Sequence, residues 1–292
     1  MKKLCLFLML LFPIFSSIAK IDEAKPVLRE ELIIVIPGDV KRDYDLFIAG
    51  RDPLKINDYN GEGSRRDVVE VVLIQQALAL GGIKDPIRFI VASSHARIIK
   101  QVHSGTAVMS GNSIWYDLLN DRDLLYVSEP IIENGQFEAG LYTILENQKA
   151  LAAKSLQDVQ TLTAVSSKAW IIDWQTLNSM KMNSLINTVK WSSMVKMVSK
   201  GRADFLLAPF QPSNDMSFTP EGIHLVPVPR IKIGLQGTRH FAVSKRHPKG
   251  KEVIKALDTG ILLLKQQGIV EKAYTDSGFF NAKVKDWKKI NL

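Results

Sequence analysis

The stretches IIKQVHSGTAVMSG (98–111) and MVKMVSKGRADFLL (194–207) decide the fold of this 292-residue chain. Each predicts the second half of a helix, a glycine that ends the helix, and an apolar strand. Each also follows a predicted strand and a pair of serines. The two stretches share four matched pairs, which are Lys100 with Lys196, Val102 with Val198, Gly105 with Gly201 and Ala107 with Ala203. Four identities do not establish a repeat, but the shared order of elements predicts two similar βαβ units.

The first unit begins at the N-terminal side of these stretches. The run ELIIVIPGD (31–39) predicts a buried strand, and the polar segment that follows, to about residue 63, predicts a loop. Ser64 and Asp67 predict a capping box for a helix from 65 to 80. Because this helix is apolar on nearly every side, we expect it to be packed deeply beside a sheet.

Strands and helices alternate along the rest of the chain. The remaining predicted strands are 87–93, 106–110, 124–132, 138–146, 161–167, 187–191, 203–210 and 239–245, and the remaining predicted helices are 94–104, 168–180, 192–200, one from about 249 to Gly268 and 269–275. Strands that alternate with helices indicate an α/β fold with crossover connections. The tail after Asp276 is polar and basic, which favours a solvated end.

The first 19 residues have the pattern of a secretory signal. Lys2 and Lys3 precede an apolar run from Leu4 to Phe15, and Ser17 and Ala19 suit a cleavage site. Cleavage after Ala19 would leave about 273 residues with a formal charge of +6 and no cysteine, because Cys5 leaves with the signal. An uncleaved membrane anchor is the alternative, but the apolar run is short for one. Either way we expect the protein in the periplasm.

Several classes of function lack support in the sequence. A chain without cysteine forms no disulfide and no thiolate site. The five histidines share no metal-ligand spacing, and no GxSxG, Walker A or GxGxxG string occurs. Export also separates the basic tail from nucleic acid. We therefore expect no metal, no cofactor and no nucleic-acid partner.

Four segments together resemble the type II periplasmic solute-binding proteins, the family that includes the amino-acid-binding proteins of bacterial ABC transporters. These segments are VSKGRADFLL (198–207), Val127–Pro130 before the first crossing, AVSSKAW (164–170) and the run from FAVSKRHP (241–248) to GIVEKAY (268–274). The resemblance covers about residues 31–280. It implies a two-lobed α/β fold, with a mixed sheet flanked by helices in each lobe and a ligand in the cleft between them. Lobe 1 would contain residues 29–137 and 239–292, and lobe 2 would contain 138–238. The lobes would be joined near 133–142 and 235–242 and would close by a hinge.

The family's amino-acid binders hold the ligand carboxylate with an arginine before the first crossing, and the ammonium with an aspartate after the glycine turn. Arg122 is the nearest arginine, but it is one residue short of the usual register and has acidic neighbours, so a solvated loop residue is the alternative. Ala208–Phe210 contains no carboxylate. Because an enclosed ammonium without a partner is costly, a standard α-amino acid is not the expected ligand.

Candidate ligand-binding residues lie where strands and helices would meet the cleft. They are Tyr44, Ser110, Gly111, Asn112, Trp115 and Arg122 in lobe 1, and Ser166, Ser167, Lys168, Trp191 and Phe210 in lobe 2. Residues 166–168 suit an anionic group, because hydroxyls, free helix N–H groups and one ammonium would meet there. The alternatives are structural: a simple turn at 110–112, burial of Trp115 in the core, and a plain N-cap at 166–168.

The sequence predicts a monomeric protein that captures a small polar solute between two lobes and delivers it to an ABC-type permease or a membrane sensor. The alternative is a periplasmic enzyme on the same fold, since fold does not fix function. Such an enzyme would need a carboxylate in the cleft, and Glu129, followed by Glu133 and Glu138, is the best placed.

Overall fold

A computed structural model describes residues 31–291, so the predicted signal segment lies outside the described residues. The helices are α1 (Gly38–Ile48), α2 (Arg66–Leu80), α3 (His95–Ser104), α4 (Gln148–Leu151), α5 (Leu156–Gln160), α6 (Ile171–Ser179), α7 (Trp191–Ser199), α8 (Gly250–Gln266) and α9 (Ile269–Asp276). The strands are β1 (Leu32–Pro37), β2 (Ile87–Ala92), β3 (Met109–Ser110), β4 (Ile114–Trp115), β5 (Leu125–Val127), β6 (Glu138–Thr143), β7 (Thr163–Ser166), β8 (Ser184–Asn187), β9 (Phe205–Pro209), β10 (Val226–Pro227), β11 (Ile231–Gly234), β12 (Arg239–His240), β13 (Ala242–Ser244) and β14 (Lys288–Lys289).

Two mixed sheets form the two lobes. The five-stranded sheet of the first lobe has the order β2-β1-β3-β13-β5. The seven-stranded sheet of the second lobe has the order β14-β11-β6-β9-β7-β8, with β10 beside β6. The α/β class and the two-lobed architecture predicted from the sequence are therefore confirmed.

The two sheets share one topology. In the first, β1 pairs in parallel with β2 and β3, and β13 is antiparallel to β3. In the second, β7 pairs in parallel with β8 and β9, and β6 is antiparallel to β9. The stretches 98–111 and 194–207 occupy matching places, because each ends a helix at a positive-φ glycine (Gly105 or Gly201) before the third parallel strand. The repeated unit predicted from these stretches is present.

The segment after β1 is a helix, not the predicted loop. Helix α1 follows β1 directly, and it buries Val40, Tyr44 and Phe47 against the first lobe. These residues have the i, i+4, i+7 spacing of one helix face. In the sequence, charged residues separate these apolar ones and make their helical spacing harder to recognise. Two of the charged residues, Lys41 and Asp45, form an ion pair on the helix.

Two local predictions near helix starts are also wrong. Ser64 does not cap α2, because its hydroxyl donates to the carbonyl of Tyr59 and the N-cap residue is Arg65. Strand β8 covers 184–187 rather than 187–191, so Trp191 begins α7 instead of ending a strand. The reason is long-range pairing, since β8 is held in register along the whole of β7.

Helix α2 is the centre of the first lobe, as its apolar composition predicts. Its residues from Val68 to Leu78 are all buried. Helix α8 approaches it so closely that a Cβ added at Gly260 would lie 1.9 Å from the carbonyl oxygen of Ala77. The N-terminus of α2 lies beside the first connection between the lobes, because the Arg66 guanidinium lies over the ring of Phe137.

Two connections lie side by side between the lobes. Ile132, after β5, pairs with Arg239, and the Leu235 N–H donates to the Phe137 carbonyl at 2.9 Å. The C-terminal tail adds a third link, because β14 pairs with β11 in the second sheet. The prediction of a solvated tail within lobe 1 is therefore wrong for its last strand. The physical reason is that Trp287 packs on Phe210 and Lys289 pairs with Glu138, which holds the tail on the second lobe.

Candidate functional site

The N-terminus of α2 carries a cluster of charges beside the connections. Arg66 donates to Glu70 at 2.8 Å and also to Asp67, and its guanidinium lies over the rings of Phe137 and Phe279. Glu70 is fully buried. Its carboxylate is compensated by Arg66, as a buried charge requires. Arg65 is paired separately, with Asp39, Asp43 and Asp67.

Arg239 joins this cluster from β12, on the second connection. Its Nε donates to the Ser113 hydroxyl at 2.9 Å, one Nη donates to the Ser113 carbonyl, and the guanidinium lies 4.8 Å from the Trp115 ring centroid. The side chain is half-buried, and within residues 31–291 it has no carboxylate within ion-pair distance. Burial, and then the neighbouring charge of Arg66, lower the pKa of Arg239 to about 10. The site therefore holds a guanidinium whose charge lacks a direct anionic partner.

The second lobe presents Asp173 to this arginine. Asp173 lies in the first turn of α6 and is half-buried. Burial raises its pKa to about 6, although the positive charges of Arg239 and Arg66 act in the opposite direction. Apart from its own backbone N–H, its side chain makes no hydrogen bond or ion pair with any other residue of the described part of the chain. The charges of Arg239 and Arg66 therefore act on the Asp173 carboxyl, and within the described residues no ion pair joins Asp173 to either arginine.

Three further groups border the same space. Asn112 donates from Nδ2 to the Asp67 carbonyl at 3.0 Å, while its buried Oδ1 has no partner among residues 31–291. Arg66 Nε is likewise buried without an acceptor in that part of the chain. His95 begins α3 with an exposed side chain, and desolvation by the surrounding protein, followed by the charge of Arg239, lowers its pKa. The region thus offers both donors and acceptors to a bound molecule.

The structure brings two predicted first-lobe residues to this cluster, because Asn112 and Trp115 contact the groups just described. Ser110 is instead fully buried in the first sheet, where its hydroxyl accepts a hydrogen bond from the Ala242 N–H at 3.1 Å. A Cβ added at Gly111 would lie 2.2 Å from the Ile36 side chain, so this glycine is required by packing.

The other two first-lobe candidates lie elsewhere. Tyr44 is buried in the core, where it packs on Phe89 and its hydroxyl accepts a hydrogen bond from Gln75. Arg122 lies over the exposed ring of Tyr116 at 4.3 Å from its centroid, not beside Arg239.

Second-lobe candidates gather at the carboxyl ends of β7 and β8, next to α6. Ser166 and Ser167 are buried, and the Lys168 N–H donates to Asn187 at 2.8 Å. Trp191 packs on Trp170 at a centroid distance of 6.0 Å. Phe210 is instead buried against Trp287, which leaves its ring no surface for a solute.

Of the three carboxylates of the enzyme alternative, that of Glu129 is exposed and those of Glu133 and Glu138 are held in ion pairs with lysines. The Glu129 N–H bonds to Asp258 beside α8, and the Glu129 side chain is exposed. Glu133 pairs with Lys265 at 2.5 Å, and Glu138 pairs with Lys232 at 2.8 Å.

The residues that dominate the site were not selected from the sequence. These residues lie in separate elements. Arg66 begins α2, Ser113 lies in the turn before β4, Asp173 lies in the first turn of α6, and Arg239 lies on the second connection. One signal was available, since Arg65 and Arg66 precede the strongly apolar α2 and charges at the start of a buried helix need partners. Nothing in the sequence pairs them with Asp173.

Neither a metal site nor a membrane-spanning helix is found in the described residues. Residues 31–291 contain no group of three or more histidine or acidic side chains placed to hold a metal ion. No helix in that range is long and apolar enough to cross a membrane.

Comparisons with known proteins identify similar structures but no sequence relatives. No protein-family model matches the sequence, and no curated protein matches it significantly. The periplasmic VFT2 domain of BvgS from Bordetella pertussis aligns with a TM-score of 0.54 and 14% identity, over 83% of this chain and 91% of that one. An amino acid ABC transporter substrate-binding protein from Streptococcus pneumoniae, bound to L-arginine, aligns with a TM-score of 0.54 and 14% identity, over 85% and 93%. An ancestral arginine-binding protein bound to arginine gives 0.51 and 14%, over 86% and 99%.

These identities are low, so the comparisons bear on the fold. The alignments extend over most of both chains, so they include both lobes of the topology described above. The protein therefore has the two-lobed α/β fold of the type II periplasmic solute-binding proteins.

Proposed function

We propose that this protein is a solute-binding protein that captures a small polar solute between its lobes. The observation that carries the proposal is the opposition of Arg239 on the first-lobe side and Asp173 on the second lobe, both half-buried and neither ion-paired within the described chain. Enclosing a charge without a partner is costly, and the pKa shifts of both groups toward their neutral forms reflect that cost. A solute that supplies an oxyanion to Arg239 and a donor to Asp173 relieves both penalties at once.

Closure of the lobes would follow from the same contacts. The solute would bridge two groups on different lobes, so each contact forms fully only in the closed arrangement. A ligand shifts a conformational equilibrium by its difference in affinity for the two states. Arg239 lies on a connection between the lobes, which places one contact at the hinge.

The partner and compartment extend this proposal. Export by the N-terminal signal would place the protein in the periplasm, where it would present the solute to an ABC-type permease or to a membrane sensor. The similarity of the fold to an amino acid ABC transporter substrate-binding protein supports the first version. Asp173 would supply the carboxylate that Ala208–Phe210 lacks, and Arg239 would take the role for which Arg122 was the nearest candidate in the sequence, so zwitterions are again candidate solutes.

A thermal-shift screen tests the function. Amino acids, dicarboxylates, polyamines and short peptides are each added to the purified protein, and the melting temperature is measured. A solute that binds only the native state at a hundredfold excess over Kd stabilises by about 2.7 kcal/mol, or roughly 5 °C or more for a chain of this size. Asp173→Asn and Arg239→Gln should each weaken the binding of that solute at least about tenfold, whereas the exposed control Asp123→Asn should bind normally. Full affinity in both cleft variants would contradict the proposed site, and no shift with any solute would contradict capture.

A further inference from the structure

Glu70 is a buried carboxylate that the solute does not touch in the proposed site. Its Oε1 accepts hydrogen bonds from Arg66 Nη1 at 2.8 Å, the Ser113 hydroxyl at 2.7 Å and the Tyr274 hydroxyl at 3.2 Å. Its Oε2 accepts from the Ser113 N–H at 2.8 Å. A fully buried carboxylate with four donors is costly to assemble, and a buried ion pair adds little to stability by itself. This arrangement calls for a role other than packing.

Ser113 connects Glu70 to Arg239. A serine hydroxyl has one proton and two lone pairs. Because the proton is directed to Glu70, a lone pair is left to accept from Arg239 Nε at 2.9 Å. The Ser113 carbonyl accepts from Arg239 as well, so two of the guanidinium nitrogens are fixed by one residue. Glu70 therefore determines the orientation of the hydroxyl that holds Arg239.

Arg66 keeps the charge of Arg239 available. Arg66 is in direct contact with Glu70 and Asp67, whereas Arg239 reaches Glu70 only through Ser113. The buried carboxylate is thus neutralised by Arg66. The remaining nitrogen of Arg239, Nη1, makes no hydrogen bond with residues 31–291.

We propose that Glu70 is a positioning residue for solute binding: through the Ser113 hydroxyl it fixes the Arg239 guanidinium with Nη1 free for an oxyanion. The inference rests on the proposed function for the role of Arg239, but the positioning itself is measurable without a solute. The specificity for an oxyanion would then depend on Glu70 of α2, Ser113 of the turn before β4, and Arg239 of β12.

The test is the NMR signal of the Arg239 Nε–H group in uniformly 15N-labelled protein, assigned by its loss in Arg239→Lys. In the native protein this proton is expected to exchange slowly with water, because Ser113 accepts it inside a half-buried site. Glu70→Gln keeps the shape of the side chain but cannot accept four donors. Both Glu70→Gln and Ser113→Ala should accelerate exchange at least tenfold, and Ser113→Thr, which retains the hydroxyl, should restore slow exchange.

Ser64→Ala is the matched control, because Ser64 is another buried serine of the same lobe and bonds to Tyr59 rather than to Arg239. Exchange within twofold of native in Ser113→Ala or in Glu70→Gln, in a protein with native amide dispersion, would overturn the proposal. If Glu70→Gln does not fold, Glu70→Asp, which keeps the charge but withdraws the carboxylate from Ser113, takes its place with the same criterion. If no solute shifts the melting temperature but the Arg239 Nε proton still exchanges slowly and depends on Ser113, solute capture is rejected and the positioning role of Glu70 is retained. The two proposals can therefore fail separately.

Discussion

At the scale of single residues, Asp173 is the group whose environment differs most from that of an ordinary surface side chain. Its carboxylate lies in the first turn of α6, where the charges of two arginines act on it although neither forms an ion pair with it. Burial outweighs their attraction, so the pKa rises from 3.8 to about 6. Because the pKa is higher in the folded than in the unfolded protein, ionisation of Asp173 lowers the free energy of unfolding, whereas the protonated carboxyl does not. The penalty appears as the pH rises from about 4 to 6 and is complete above that.

The replacement Asp173→Asn removes this penalty while it keeps the size of the side chain. We expect the variant to be more stable than the native protein at pH 7.5, by about 1 to 2 kcal/mol, and equal to it near pH 4. Urea unfolding at the two pH values measures the difference. Asp123→Asn, on an exposed loop position, should show no such dependence on pH. A destabilised Asp173→Asn at neutral pH would mean that the attraction of the arginines exceeds the cost of burial.

At the scale of elements, the contact between α2 and α8 fixes the first lobe. Ala77 and Gly81 on α2 meet Ala256 and Gly260 on α8, and an added Cβ at Gly81 or Gly260 would lie within about 2 Å of a carbonyl oxygen of the other helix. The two backbones therefore touch, which only glycine and alanine permit. This contact holds α2, and so Arg66 and Glu70, against the rest of the lobe.

Gly260→Ala tests this contact. Alanine favours a helix over glycine by about 1 kcal/mol, so a loose contact would make the variant more stable. Because the obstacle here is backbone, which no rotamer change can relieve, we expect a net loss of at least about 2 kcal/mol in the free energy of unfolding. Thr259→Ala, at the exposed neighbouring position, should change stability by less than about 0.5 kcal/mol. Unfolding in urea gives both values, and an unchanged Gly260→Ala would contradict the close packing.

At the scale of the whole molecule, three segments join the lobes, and the third is the tail. The two connections pair with each other, as the predicted crossings near 133–142 and 235–242 suggested. The tail then leaves α9 in the first lobe and ends beside β11 in the second. Asn291 bonds to both the N–H and the carbonyl of Gly234, each at 2.9 Å. The tail thus restrains the second lobe relative to the hinge.

Ending the chain after Lys285 removes β14, Trp287 and Asn291. We expect a loss of about 2 to 4 kcal/mol in stability, since a large side chain and a paired strand are lost together. The amide of Gly234, which donates to Asn291, should also exchange with solvent much faster. Lys288→Ala, which alters only an exposed side chain of β14, should leave that amide protected. Hydrogen exchange followed by NMR separates these outcomes, and an unchanged Gly234 amide in the shortened chain would exclude a restraining tail.

The sequence by itself determined the alternation of strands and helices, the repeated helix, glycine and strand unit, and the burial of α2. These features depend on residues two to four positions apart, and apolar periodicity and glycine record such spacing directly. The same spacing would have revealed α1, whose buried Val40, Tyr44 and Phe47 lie between charged residues. The polar composition of the segment, rich in Asp, Gly and Asn, led to the prediction of a loop there.

Only the tertiary structure decided the candidate site. Arg66, Ser113, Asp173 and Arg239 are separated by long stretches of sequence and resemble ordinary surface residues in it. Their role depends on which charges come close to one another in the fold, and that is decided by the pairing of the two connections and by the docking of the second lobe. The energy of a charge is set by distance and burial in three dimensions, so no local pattern encodes it.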